Sequence, residues 1–177
     1  MKNMTSLLIL LVLVLSLFIV TACDNQTTKN NKEPIISNGT VVKTGKMKHK
    51  KCTRQANGGT GVDVELNYDV YYTDDILNLL VSQEKIITED ISILEEYEDA
   101  YKKISVNYKD LEYYDQEVIR TNNSVLNKTT INYDKIDIQK LLDIEGEEDN
   151  IIEDGKAKVD LYISLLKRFG GTCEDVE

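Results

Sequence analysis

A chain of 177 residues with 31 Asp and Glu against 21 Lys and Arg carries a formal charge of −10, which excludes a nucleic-acid partner, whose phosphates require a basic face. The same excess sets the chain against an anionic bilayer, which would repel it. A single histidine excludes a zinc site built on paired imidazoles.

The chain opens with Lys2 and then, over residues 7–20, an apolar run broken only by Ser16. As a helix rising about 1.5 Å per residue, that run falls well short of the roughly 30 Å hydrocarbon core of a bilayer. A positive start, a short apolar core and small residues after it predict a cleaved export signal over 1–22. Val20, Thr21, Ala22 and Cys23 resemble the bacterial lipobox at all four positions. That resemblance implies diacylglycerol on the Cys23 sulfur, cleavage between Ala22 and Cys23, and a fatty acyl group such as palmitate on the new amine. The expected protein is lipid-anchored to the cell membrane, faces outside the cytoplasm, and has no cofactor beyond those covalent lipids. An uncleaved anchor helix is the alternative. Removing 1–22 takes away Lys2 and no acid, so −10 becomes −11 for the mature chain.

Residues 24–46 are rich in Asn, Thr and Lys, hold the only proline, Pro34, and show no sustained apolar period. With Cys23 they read as a tether over 23–46, whose ends as a flexible coil would lie on the order of 25 to 30 Å apart. Its apolar pairs, Ile35 with Ile36 and Val41 with Val42, leave docking as an edge segment as the alternative. The basic run Lys43, Lys46, Lys48, His49, Lys50, Lys51 reads as the solvated start of a strand, where lysine opposes edge aggregation, in preference to an anion site.

The remaining residues, 47–177, are enough for a single domain with one core. A first strand is expected over 47–55. Asn57, Gly58, Gly59, Thr60 and Gly61 then make a hairpin connection, since no helix follows and the Lys and Ser/Thr of a phosphate cradle are missing. Val62, Val64, Leu66, Tyr68, Val70 and Tyr72 alternate with Asp63, Glu65, Asn67, Asp69 and Tyr71, the period of a strand with one face on a core. Thr73, Asp74 and Asp75 form a turn, and branched residues over 76–87 predict the returning strand.

Thr88, Glu89 and Asp90 offer capping chemistry, and Leu94, Tyr97, Tyr101, Ile104, Tyr108 and Leu111 recur at the spacing of an amphipathic helix. Its tyrosines read as core with hydroxyls reaching the rim, in preference to a carbohydrate platform. A second hairpin is expected over 113–121 and 125–134, turning at Asn122, Asn123 and Ser124, with Val125, Thr129, Ile131 and Tyr133 on its inner face. A short helical turn follows over 135–142. Glu145, Glu147, Glu148, Asp149, Glu153 and Asp154 lack the spacing of a calcium loop, so a solvated segment is expected and no metal site is assigned. Tyr162, Leu165, Leu166 and Phe169 define a last helix stopped by Gly170 and Gly171, after which Thr172 and Cys173 lead into an acidic tail. The sum is an α+β domain, an antiparallel sheet of about five strands packed by two main helices.

Three cysteines are an awkward number for an exported chain. With Cys23 lipidated, Cys52 and Cys173 remain as one pair, and a disulfide between them is the expectation, with two free or buried thiols as the alternative. The chain also resembles the YehR-like family of small bacterial lipoproteins. The likeness lies in the order of parts: the lipobox and tether; Lys51, Cys52, Thr53, Arg54; Gly61, Val62, Asp63; the segment from Ile131 through Asn132, Tyr133, Asp134, Lys135, Ile136 and Asp137 to Ile138; and Phe169, Gly170, Gly171, Thr172, Cys173. That family more often has a bulky residue where Gly171 stands. The resemblance implies a helix-on-sheet α+β fold and no established activity.

No catalytic residue is assigned, and the chain is not expected to be an enzyme. His49 lies in a lysine-rich strand with no evident acid partner, and paired carboxylates for hydrolysis of sugars are the remaining enzymatic option. The expected class is a binding or interaction module, its partners membrane lipid through the acyl chains and an envelope protein or a small ligand. A structural envelope protein is the alternative. A pocket with converging polar groups favours the first, a filled core and flat surface the second. Hairpin edges also permit strand addition.

Overall fold

The computed structural model describes residues 46–59, 61–146 and 150–176. Lys48–Gly59 (β1), Val62–Thr73 (β2) and Ile76–Ile87 (β3) form an antiparallel meander, followed by helix α1, Ile91–Tyr108. The hairpin of Tyr114–Arg120 (β4) and Ser124–Asn132 (β5) leads into helix α2, Ile138–Glu145. Two short strands, Ile152–Glu153 (β6) and Lys156–Ala157 (β7), pair with each other before helix α3, Val159–Arg168, and the last strand β8, Thr172–Val176.

Six strands make one antiparallel sheet in the order β4-β5-β3-β2-β1-β8. The sixth is the segment expected as an acidic tail. Thr172–Val176 has no apolar alternation to mark it; it is defined by its partner, pairing with residues 49–53 of β1 and placing Cys173 opposite Cys52. β1 runs on beyond that cover, through Gly58 and Gly59 of the expected glycine loop. Thr60 lies outside the described residues.

Local chemistry sets the element ends. The Asp90 carboxylate accepts from the Ser92 and Ile93 amides at the start of α1, and Asp137 does the same for Gln139 and Lys140 at the start of α2. Helix α3 starts without a side-chain cap. Instead Lys158 bonds Asp75 in the β2–β3 turn at 2.7 Å, and the Val159 amide donates to the Asp75 carbonyl. At its other end Gly170 takes φ +83°, the Gly170 amide donates to Lys167 O and the Gly171 amide to Leu166 O, a complete Schellman closure. A Cβ on Gly171 would stand 2.9 Å from the Leu166 carbonyl oxygen, so a side chain does not fit here unless the turn shifts.

Residues directly opposite each other across strands share a face. The helices cover the face that carries Val64, Leu66, Tyr68 and Val70. Its main core joins Val70, Tyr72, Leu77, Leu80 and Ile131 of the sheet to Ile136, Leu141, Val159, Tyr162, Ile163 and Leu166 from the α2 and α3 region. A second buried apolar group, Val64, Leu66, Ile86, Val125 and Leu94, lies on the α1 side and is not part of that cluster.

Candidate functional site

Between the two apolar groups the helix-covered face turns polar. One cross-strand row runs Arg54, Leu66, Glu84, Asn127, Val118, and the next runs Cys52, Tyr68, Ser82, Thr129, Gln116. Leu66 and Cys52 are buried, but Arg54, Tyr68, Ser82 and Glu84 are only half-buried, so neither helix seals the centre of the sheet. Helix α1 brings Tyr97 and Tyr101 to one side of this seam, exposed by only 5% and 3%. From the other side α3 brings Tyr162, whose ring meets Tyr68 edge-on at 6.2 Å between centroids.

Glu84 dominates the electrostatics. Loss of water around its carboxyl pushes it above the usual carboxylate range, while the Tyr101 hydroxyl and the Arg54 guanidinium pull the other way. Tyr101 is raised well above the ordinary tyrosine value, by burial first and the Glu84 charge second. Tyr68 is pushed up to about 12 for the same two reasons, with Arg54 opposing, and Tyr97 is raised likewise. Even so, the buried Tyr101 hydroxyl closes no well-formed hydrogen bond. Gln116 Oε1 and Arg120 Nη1 are also buried without a hydrogen-bond partner among the described residues. The other end of Gln116 is held, donating to Asn127 Oδ1 at 2.7 Å and to the Tyr101 carbonyl at 3.4 Å. Arg54 makes no hydrogen bond and no ion pair among the described residues, although it is half-buried.

The line of rings continues beyond Tyr162. At the end of α1, Tyr108 stacks on Tyr114 of β4 at 4.2 Å with an interplanar angle of 9°, and its hydroxyl donates to Glu145 Oε1 at the end of α2. Burial and then the Glu145 charge raise Tyr108 and Tyr133, and burial lifts Tyr114 to about 12 against a hydrogen bond with Thr129. Burial raises Tyr162 well above the ordinary tyrosine value, with Tyr68 and Tyr133 adding to the shift, and Tyr68 and Tyr133 both pack against the core cluster that contains Tyr162. Ring faces and edges favour flat or CH-rich ligand surfaces, and carboxylates among rings favour ammonium groups.

The expected Cys52–Cys173 pair is a disulfide, across directly opposed strand positions with 4.0 Å between Cα atoms. It borders the seam, since Cys52 shares a row with Tyr68. The helix tyrosines divide: Tyr97 and Tyr101 are buried as expected of core, and Tyr108 reaches the rim. His49, expected without an acid partner, has one. Its Nε2 lies 2.9 Å from Asp69 Oδ1 and its ring stacks on Tyr71, because the β1–β2 register puts Tyr71 opposite His49 and Asp69 two residues along. Of the acidic segment, Glu145 ends α2 and Asp154 turns β6 into β7 with φ 52°, while Glu147, Glu148 and Asp149 lie outside the described residues. No group of three metal-ligating side chains occurs among the described residues, and no helix among them is long and apolar enough to cross a membrane. The signal, Ala22, Cys23 and the tether to residue 45 lie outside the described residues.

The sequence names Arg54 only within the Lys51, Cys52, Thr53, Arg54 motif and gives no role to it or to Glu84. The signal for them is strand parity: Arg54 follows Cys52 by two residues, and Glu84 falls between Leu80 and Ile86 on the inward-facing set. A separate depression of about 460 Å3 lies at the far end of the β1–β2 hairpin, lined by Gln55, Asn57, Asp63, Glu65 and Ile87 among others.

No family model and no curated protein matches the chain. Among solved structures it is similar to the NMR structure of the E. coli YehR protein, with a TM-score of 0.53 and 21% identity over 76% of this chain and 95% of that one. It also aligns with an NMR structure of a protein from Streptococcus pneumoniae TIGR4, at 16% identity and a TM-score of 0.49, over 88% of this chain and 99% of that one. Among the described residues the fold is thus that of a small α+β domain with three helices against an antiparallel sheet. More narrowly, it is a YehR-like fold.

Proposed function

We propose that the domain is a small binding module, held outside the cytoplasm by lipid on Cys23, and that its ligand lies along the tyrosine-lined seam between α1 and α3. One observation carries the reading. The centre of the helix-covered face, where a sheet normally meets aliphatic side chains, is a half-buried polar row in which the almost wholly buried Tyr101 hydroxyl faces the Glu84 carboxyl without closing a well-formed hydrogen bond. An unsatisfied buried polar group costs about 1 to 3 kcal/mol, and the fold has an apolar core elsewhere that does not need it.

The anchoring part of the proposal is supported by the lipobox residues and by charge, since a mature chain at −11 needs lipid to stay at an anionic surface. Cys23→Ala should abolish incorporation of labelled fatty acid and release the protein to the medium. Identical fractionation of both forms removes this part of the proposal. For the seam, ten tyrosines and no tryptophan make intrinsic tyrosine emission a direct reporter. Titration with the small-molecule fraction of growth medium should change that emission and shift amide resonances on β2, β3 and α1. Shifts confined to the Gln55, Asn57 and Asp63 depression would instead place binding there.

A further inference from the structure

We propose that the seam takes a free α-amino acid, with its ammonium on Glu84 and its carboxylate on Arg54. The inference rests on the binding-module reading and deepens it.

The register supplies the geometry. Arg54 and Glu84 stand in one cross-strand row with Leu66 between them, so their Cα atoms are two strand spacings apart, about 10 Å. The two side chains rise on the same face, close enough for the Arg54 charge to act on the Glu84 carboxyl. Leu66, 6% exposed, gives that gap an apolar floor, and Tyr97 and Tyr101 wall it on the α1 side. On the β1 side the pairing with β8 ends at Thr53 and Thr172, so Arg54 stands on the part of β1 with no outer neighbour.

The charges argue for a zwitterion. A half-buried arginine with no hydrogen bond or ion pair among the described residues presents a fork of donors that matches a carboxylate. A carboxylate set among tyrosine rings suits an ammonium. A ligand with one charge gains from one residue and is repelled by the other. A molecule with both signs a short distance apart meets both residues favourably. The Tyr101 hydroxyl and Gln116 Oε1, neither of which closes a well-formed hydrogen bond, supply further polar contacts beside it.

The test titrates the purified full-length domain with each common L-amino acid in turn, following tyrosine emission and amide shifts. The tightest binder is then compared with its decarboxylated amine and its deaminated acid. The amino acid should bind at least tenfold more tightly than either. Glu84→Gln should reduce its affinity to that of the deaminated acid on the wild type, and Arg54→Gln to that of the amine. If Arg54→Gln does not fold, Arg54→Lys, which keeps the charge and loses the fork, should still weaken the amino acid more than the amine. Silence of every amino acid, while maltose or another medium component shifts the seam, overturns the zwitterion and leaves the seam as a binding site. Equal binding of the amino acid and its amine also overturns it. A seam that responds to no medium component removes the binding reading itself.

Discussion

The part of the sheet under α2 and α3 and the strip between α3 and α1 are built from the same strands, a few residues apart. In the first, Val70, Leu77, Leu80 and Ile131 meet Leu141, Ile163 and Leu166, and a disulfide closes the edge. In the second, the adjoining rows hold Arg54, Glu84, Asn127 and Gln116. A chain able to fill one region so completely could fill the other. The contrast separates the part that holds the fold from a part whose polar groups are incompletely satisfied and only half-covered.

That separation can be broken by experiment. The largest effect should come from the edge clamp. Replacing Cys52 and Cys173 by Ala opens a loop spanning a sequence separation of 121, and should cost up to about 4 to 5 kcal/mol in urea unfolding. A loss under about 1 kcal/mol would show that strand pairing alone holds β8. Leu77→Ala, at a side chain with 0% exposure, should cost about 2 to 5 kcal/mol through lost contacts and the cavity left behind.

At the seam the sign reverses. Glu84 titrates higher in the folded than in the unfolded chain, so the folded state binds more protons between the two values. Stability therefore falls as pH rises from the ordinary carboxyl value through the folded one. Glu84→Gln should flatten that slope and, at neutral pH, leave the protein as stable as the wild type or more stable by about 1 kcal/mol. A clear destabilisation at neutral pH would make Glu84 a structural partner and dissolve the contrast. The smallest effect belongs to the exposed face of α1. Lys102→Ala, which removes a pair with Glu98 at 2.5 Å one helical turn away, should change stability by less than about 0.5 kcal/mol.

Much of the framework is legible in the residues. The alternation from Val62 to Tyr72 carries β2, the Asp90 cap and the spacing of Leu94, Tyr97 and Tyr101 carry α1, and Gly170 marks the end of α3. Cysteine parity points to the disulfide. What is not legible depends on partners distant in sequence. Thr172–Val176 becomes a strand only because β1 lies beside it, so the sheet has six strands where five were expected. The His49–Asp69 contact depends on register, which no single segment states. Glu84 lies in a strand easily read from its branched residues, but its half-burial depends on which side chains of other elements come to lie over it, a property of packing. Arg54 is hidden in the same way behind a run that reads as solvated.

The Cys52–Cys173 bond has a mechanical consequence. Lys48 begins the first strand and Val176, which pairs with His49, ends the last, so both ends of the folded unit meet at one corner. A pull on the chain ahead of Lys48 would peel β1 from its neighbours one rung at a time. The peeling stops at Cys52, where a covalent rung takes the load after only residues 48–51 have come away. Arg54 and the tyrosine seam lie beyond that stop. Tension on the leading chain would thus be borne by the corner and not transmitted to the surface where a ligand would rest.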